Sequence, residues 1–177
     1  IIIPLLTPGD NILVTVTKQN YYRYSVSVPV IPPAGAYVVY DSLSISDGAK
    51  VETNMGNGNG LLDYGEDPFL DMRLENVGTQ PASNVSAVLR SEDSFISIPD
   101  SVESFGDFTS GESKWILDAF KINVFSTVPD LHNCNFTLVA TDGANQWTSY
   151  FSIKAHAPKL EFNGITISDP LGNNNGK

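Results

Sequence analysis

The sequence predicts an all-β chain organised as a sandwich of two antiparallel sheets. Apolar and polar residues alternate with period two in segment after segment, the pattern of a strand with one face on a core and one in water. These runs are divided by clusters of Gly, Asn, Asp, Ser and Pro, the residues that favour turns. No stretch of about 11 residues carries a convincing helical periodicity.

Taken in order, residues 1–33 hold two strand candidates, 11–18 and 22–31. Two strands are too few for a domain and read as the closing hairpin of a preceding one. Pro32-Pro33-Ala34-Gly35 reads as a linker. Leu70, Met72 and Leu74 then alternate with Asp71, Arg73 and Glu75, and a turn is expected at Asn76-Val77-Gly78-Thr79. Val85, Ala87 and Leu89 form the next inward face. In residues 114–125 the apolar positions change parity, from Trp115 and Leu117 to Phe120, Ile122 and Val124. A bulge near Asp118-Ala119 accounts for the change. Phe136, Leu138 and Ala140, then Trp147, Ser149, Phe151 and Ile153, mark two more strands. Turns are expected at Thr109-Ser110-Gly111-Glu112 and Asp142-Gly143-Ala144-Asn145. His156-Ala157-Pro158 reads as a second linker, with residues 159–168 starting another strand. The expected core is Leu70, Met72, Leu74, Val85, Ala87, Leu89, Phe120, Ile122, Val124, Phe136, Leu138, Trp147, Phe151 and Ile153, with Trp115 as a further anchor.

An internal repeat sets the organisation. Asn54-Met55-Gly56-Asn57-Gly58-Asn59-Gly60 is echoed by Pro170-Leu171-Gly172-Asn173-Asn174-Asn175-Gly176. Upstream, Leu43-Ser44-Ile45-Ser46-Asp47 is echoed by Ile165-Thr166-Ile167-Ser168-Asp169. A period this long means tandem domains and not a solenoid. Residues 34–157 are then one complete module, 1–33 the end of a preceding domain and 158–177 the start of a following one. The chain begins at Ile1 and not at Met, as an excised or processed fragment would.

Composition narrows the function. Asp and Glu total 20 against 10 Lys and Arg, a net charge of −10. Phosphate neutralisation needs clustered basic residues, so nucleic acid is not an expected partner. An anionic membrane surface is disfavoured on the same ground. No apolar run is long enough to span a bilayer as a helix, and no signal peptide is evident. Cys134 stands alone, so no intrachain disulfide is available.

Val16-Thr17-Lys18-Gln19-Asn20-Tyr21, followed by Val30-Ile31-Pro32-Pro33, resembles the end of the immunoglobulin-like domain that follows the catalytic domain of gingipain-like cysteine peptidases. Gly58-Asn59-Gly60-Leu61-Leu62-Asp63-Tyr64-Gly65-Glu66, with Leu74-Glu75-Asn76-Val77-Gly78 and Ala82-Ser83-Asn84-Val85, resembles the tandem adhesion-type β-sandwich modules farther downstream in such proteins. The likeness covers nearly the whole chain. It implies an immunoglobulin-like accessory region, in tandem modules, of a secreted or cell-surface peptidase-like protein. The implied partners are the catalytic domain and the neighbouring modules. Those peptidases use a Cys/His pair on a caspase-like α/β domain; nothing here matches that domain, and no catalytic residue carries over.

The sharpest chemical pattern lies in residues 55–66. Laid on the EF-hand calcium loop, Asn57 falls at the third place, Asn59 at the fifth, Gly60 at the sixth, Leu61 at the carbonyl-donating seventh, Asp63 at the ninth and Glu66 at the twelfth. The first place holds Met55 instead of Asp, and the echo holds Leu171, which points to a side chain tucked into the sandwich. Asp47 or a backbone carbonyl would fill the vacancy. The expected metal set is therefore Asn57, Asn59, Leu61, Asp63, Glu66 and Asp47, with calcium as the cofactor in a weak range of about 10⁻⁴–10⁻³ M. The alternative is an Asn/Gly-rich turn whose side chains bond their own backbone.

Other candidates read as structural. Cys134 is in phase with Phe136 and Leu138, which places it in the core and not in a nucleophilic pair with His132. His132 is expected to be solvated, and His156 borders a linker. Asn84-Val85-Ser86 and Asn135-Phe136-Thr137 fit the N-glycosylation sequon; Asp41-Ser42-Leu43 and Asp100-Ser101-Val102 resemble an O-glycosylation motif of surface-dwelling anaerobes. Such short patterns recur by chance. Tyr21, Tyr22, Tyr24 and Tyr37 could line a sugar-stacking strip, but Tyr22 and Tyr24 share parity with Val26 and Val28, so burial is expected for those two. The expected function is a non-catalytic stalk, spacer or docking module, the alternative a module that grips a surface glycan or host protein. No acid, base and nucleophile set marks an enzyme.

Overall fold

The computed structural model describes residues 10–31, 33–48, 56–168 and 170–172. Among these there are strands and no helix. A hairpin of β1 (Asn11–Val16) and β2 (Tyr24–Pro29) comes first and forms a two-stranded sheet of its own. Nine strands follow: β3 (Val38–Ser46), β4 (Leu62–Asp63), β5 (Phe69–Asn76), β6 (Ala82–Arg90), β7 (Ile96–Asp100), β8 (Val102–Phe108), β9 (Ser113–Val124), β10 (Asn133–Thr141) and β11 (Gln146–His156). One sheet runs β3-β5-β9-β7, all antiparallel. The other runs β4-β11-β10-β6-β8, antiparallel except for the short parallel pairing of β4 with the end of β11.

The inward residues of both sheets share one core, and the architecture is sandwich-like. Leu70, Met72 and Leu74 from β5, Phe120 and Ile122 from β9, Val85, Ala87 and Leu89 from β6, and Phe136 and Leu138 from β10 are buried together. Strand alternation produces this, because successive side chains point to opposite faces. Phe151 and Ile153 are only partly buried, but they pack against the same core. The sheets also meet along an aromatic stack: Tyr40 of β3 lies 4.5 Å from Phe151, and Phe151 lies 5.3 Å from Phe136. The Tyr40 amide donates to Ser149 Oγ at 3.0 Å, from one sheet to the other.

Three expectations are corrected. The irregularity in β9 sits where expected, with Asp118 at φ +52°, but it does not switch faces. Leu70 opposes Phe120 and Met72 opposes Ile116, so β9 spends four residues where β5 spends two. An even insertion preserves parity. Ile116 therefore packs on the core, while Trp115 and Leu117 are exposed. Tyr22 and Tyr24 are exposed as well, together with Val26 and Val28, because the described part of the hairpin is not covered by the sandwich core. Residues 159–168 form no strand; the segment has no ladder partner among the described residues.

One pole of the sandwich is organised by Asn76, which is fully buried. Its Oδ1 accepts the amides of Tyr37 at 3.0 Å and Gly78 at 3.1 Å. Its Nδ2 donates to the carbonyls of Gln80 at 2.8 Å and Thr109 at 3.2 Å. The chain before β3 crosses directly over Gly78: a Cβ there would lie 2.2 Å from the Gly35 carbonyl oxygen and 2.5 Å from the Tyr37 amide nitrogen. Asn76→Ala removes the partner of one buried backbone group, at Gly78, and of three part-buried ones, at Tyr37, Gln80 and Thr109, and is expected to cost about 3 kcal/mol, from roughly 1–3 for a fully buried group left unsatisfied and less for those that water can reach. Gly78→Ala should cost about 1–3 kcal/mol by overpacking. Gly35→Ala, whose Cβ meets nothing within 4 Å, should be nearly neutral. Denaturant unfolding of the three variants checks the ranking.

Candidate cation-binding loop

The residues of the calcium pattern gather at the opposite end of β5. Asp47 directly follows β3, and the chain returns at Gly56 and runs through β4 to Glu66 just before β5. Residues 49–55, and with them Met55, lie outside the described part. Leu62 is fully buried and anchors the segment from beneath. β4 lies beside the end of β11, with Leu62 opposite Ala155 and Asp63 opposite His156. The Tyr64 amide donates to the His156 carbonyl at 2.9 Å, Gly65 to Val124 at 3.0 Å, and Val124 back to the Glu66 carbonyl at 2.8 Å. Gly58 and Gly60 hold φ of +78° and +74°, the left-handed region where glycine carries no Cβ penalty.

Asp47 is buried, and its carboxylate accepts the Asn59 amide at 3.0 Å and the Gly60 amide at 3.1 Å. Asn57 Oδ1 accepts the Asn59 amide at 3.0 Å, and Asn59 Oδ1 the Leu61 amide at 2.7 Å. Both side-chain amides, Asn57 Nδ2 and Asn59 Nδ2, donate to Asp63 Oδ2 at 2.7 and 2.8 Å. These are the self-bonding Asx contacts of the turn reading. Glu66 is less easily explained that way. It is buried at 8% exposure; Oε1 accepts the Asn57 amide at 3.1 Å, and Oε2 has no hydrogen-bond partner among the described residues. Burial raises its pKa first and the Asp63 charge second; the amides of Asn57 and Asp63 oppose this, and Asp47 adds to the rise. Gly56 makes room for the group, since a Cβ there would lie 2.7 Å from the carboxyl carbon. Of the expected set, Leu61 is exposed on the loop. In the echo, Leu171 is fully exposed rather than tucked into a core, and Asp169 and residues 173–177 lie outside the described part.

A second cluster was hidden in the sequence. Asp93, between β6 and β7, meets His132 and Cys134, with the ligand atoms of the three within 4.8 Å of one another. His132 is therefore not merely solvated: its Nε2 lies 2.8 Å from Asp93 Oδ2, and its ring packs edge-on to Phe95 at 5.0 Å. Burial pushes the Asp93 carboxyl up, but hydrogen bonds from the Phe95 amide and the His132 ring, with the ring's charge, bring the net direction down. Burial, with the Asp93 charge, pushes the Cys134 thiol up to about 11. The group has the mixed donors of a three-ligand zinc site; in the metal-free chain the raised thiol pKa keeps Cys134 protonated, and the carboxylate is engaged by Phe95 and His132. Asp93 is distant in sequence from His132, so no local spacing announces the contact. Asp130 was also missed; its Oδ1 accepts the Ala157 amide at 3.2 Å and lies 4.0 Å from His156 Nδ1. The sequon residues Asn84 and Asn135 are both exposed.

Two outcomes are expected. Native Cys134 should resist iodoacetamide at neutral pH and react within minutes once unfolded; rapid alkylation of the native chain would restore the nucleophile reading. Glu66 has a raised pKa in the folded state, so its ionised form opposes folding. The opposition is absent below the unfolded-state pKa and complete above the folded one. In chelator, Glu66→Gln should therefore melt above the parent at neutral pH, and the gap should close on acidification through the Glu66 titration. No protein-family model matches the chain, and no curated protein matches it.

Proposed function

We propose that this chain is a non-catalytic structural module, a stalk, spacer or docking unit, of a larger secreted or cell-surface peptidase-like protein. The observation that carries this reading is the contrast between a closed core and uncovered apolar strand sequence on either side of it. Leu13, Val14, Val16, Val26 and Val28 are exposed on the β1–β2 hairpin, and Leu160, Phe162, Ile165 and Ile167 are exposed beyond β11. Strand-patterned apolar residues stay soluble when a neighbouring body covers them, as tandem modules do. The motif likeness to the accessory region of gingipain-like peptidases supports the placement beside a catalytic domain and other modules.

An immunoglobulin-like assignment is part of the proposal. The order β3-β5-β9-β7 against β4-β11-β10-β6-β8 resembles an ABED sheet facing a GFC sheet with two added edge strands, β8 beside the C-like β6 and the short β4 beside the G-like β11. The chain order departs from that pattern in the middle: β7, in the D-like place, precedes β8, which pairs with the C-like β6. The alternative, a ligand-gripping module, is favoured by one feature. Arg90 and the exposed Tyr150 border a cleft that includes Ile98 and Thr137, an aromatic-and-arginine lining suited to a sugar or peptide.

Residues 34–157 alone should unfold in one cooperative transition, with a melting temperature within a few degrees of the full chain. Loss of cooperativity would make the hairpin part of this core and remove the modular reading. A glycan array probed with the full chain should stay silent. Saturable sugar binding abolished by Tyr150→Ala would replace the spacer with the alternative, and peptidase activity from this chain alone would replace both.

A further inference from the structure

We propose that Asp47, Asn57, Asn59, Asp63 and Glu66 bind one calcium ion, and that the ion locks the place where the chain leaves the sandwich after β11. Binding itself stands on the loop; the lock rests on the reading of the chain as a module joined to a neighbour.

The first argument is the Glu66 carboxylate. It is more than nine-tenths buried, holds an oxygen with no partner among the described residues, and faces the charges of Asp63 and Asp47. Among the described residues no lysine or arginine pairs with any of the three carboxylates. A buried carboxylate oxygen without a donor is unfavourable, and a cation relieves the missing contact and the like-charge repulsion together. Gly56 keeps the space beside that carboxylate clear, in a backbone conformation (φ +142°) that side chains rarely adopt.

The donor set selects the ion. Every group is a hard oxygen, from carboxylate or carboxamide, with no imidazole or thiolate among the proposed ligands, which suits calcium and not zinc. The loop is irregular and built on turns, which suits calcium's flexible coordination better than the strict octahedron of magnesium. The present hydrogen bonds do not block it. Asn57 Oδ1 and Asn59 Oδ1 each accept one backbone amide, and a carbonyl oxygen keeps a second lone pair. Asp63 exchanges two carboxamide donors for the ion.

The position gives the ion its effect. The cleft that contains Gly56, Asn57, Asp63 and Glu66 continues into His156, Ala157 and Pro158. Asp63 pairs with His156 across the β4–β11 ladder, and the Tyr64 amide holds the His156 carbonyl. An ion that orders residues 56–66 therefore also orders the last turn of chain before residue 159.

The test uses the full chain in millimolar CaCl2, in equal MgCl2, and in EGTA. Calcium at about ten times Kd should raise the melting temperature by roughly 3–6 °C, with magnesium giving less than half of that. Glu66→Gln and Asp63→Asn should stay folded and lose the shift, Glu66→Gln melting at or above the parent in EGTA. Hydrogen exchange in residues 56–66 and in residues 155–158 should slow several-fold with calcium. No melting shift for the parent chain, an equal shift in magnesium, or full shifts in both variants would overturn the site. A normal shift with unchanged exchange at residues 155–158 would overturn the lock alone. None of these results bears on the modular reading, which the cooperativity of residues 34–157 decides separately.

Discussion

The fold depends on the buried carboxamide of Asn76. A sandwich brings its strands together by packing, which is strong but tolerant of small slips. Register and the crossing of the sheet ends need directional contacts. Asn76 supplies them at one pole by bonding the approach to β3, the β5–β6 turn and the β8–β9 turn at once. The Asn76 amide also donates to the Glu112 carbonyl at 2.9 Å, and its carbonyl accepts the Gly111 amide at 2.8 Å. Every polar group of the residue is thereby satisfied without water, the condition under which a buried amide holds a structure together instead of weakening it. The close passage over Gly78 follows from the same geometry, because the chain that bonds Asn76 Oδ1 through Tyr37 has to lie within touching distance of the turn.

β5 links that pole to the acidic one. It starts just after Glu66 and ends at Asn76, so the strand whose far end is secured by neutral hydrogen bonds begins beside carboxylates that no described lysine or arginine pairs with. The two ends solve the same problem differently. At the Asn76 end donors and acceptors match one for one. At the Glu66 end Asp47 is satisfied by backbone amides, Asp63 by two carboxamides, and Glu66 only in part. The net charge of −10 thus has a local counterpart in which repulsion is built into a defined loop.

The Asp93–His132–Cys134 cluster shows how neighbouring groups acquire different chemistry from their surroundings. The imidazole and the Phe95 amide favour the Asp93 charge, and the same Asp93 charge disfavours ionisation of Cys134. Between them the cluster clasps the segment after β6 to the start of β10, with the same carboxylate charge that the imidazole favours holding the neighbouring thiol in its protonated form.

The sequence by itself determined what local periodicity and turn chemistry control. The all-β class, the inward faces of β5, β6 and β10, the turns after Asn76, Thr109 and Asp142, and the burial of Cys134 follow from alternation and from where Gly, Asn and Asp interrupt it. The order of oxygen-bearing residues from Asn57 to Glu66 was legible for the same reason, since those residues lie close in the chain. Tertiary structure decided everything that depends on a partner distant in sequence. Whether Trp115 faced in or out turned on the number of residues inserted opposite β5, which alternation along β9 alone does not count. Whether Tyr22 and Tyr24 were buried turned on whether another surface covers the hairpin. The roles of Asn76, Asp93 and Asp130 arise where segments far apart in the chain are brought within hydrogen-bonding range. That proximity is set by how the two sheets pack, and no local pattern encodes it.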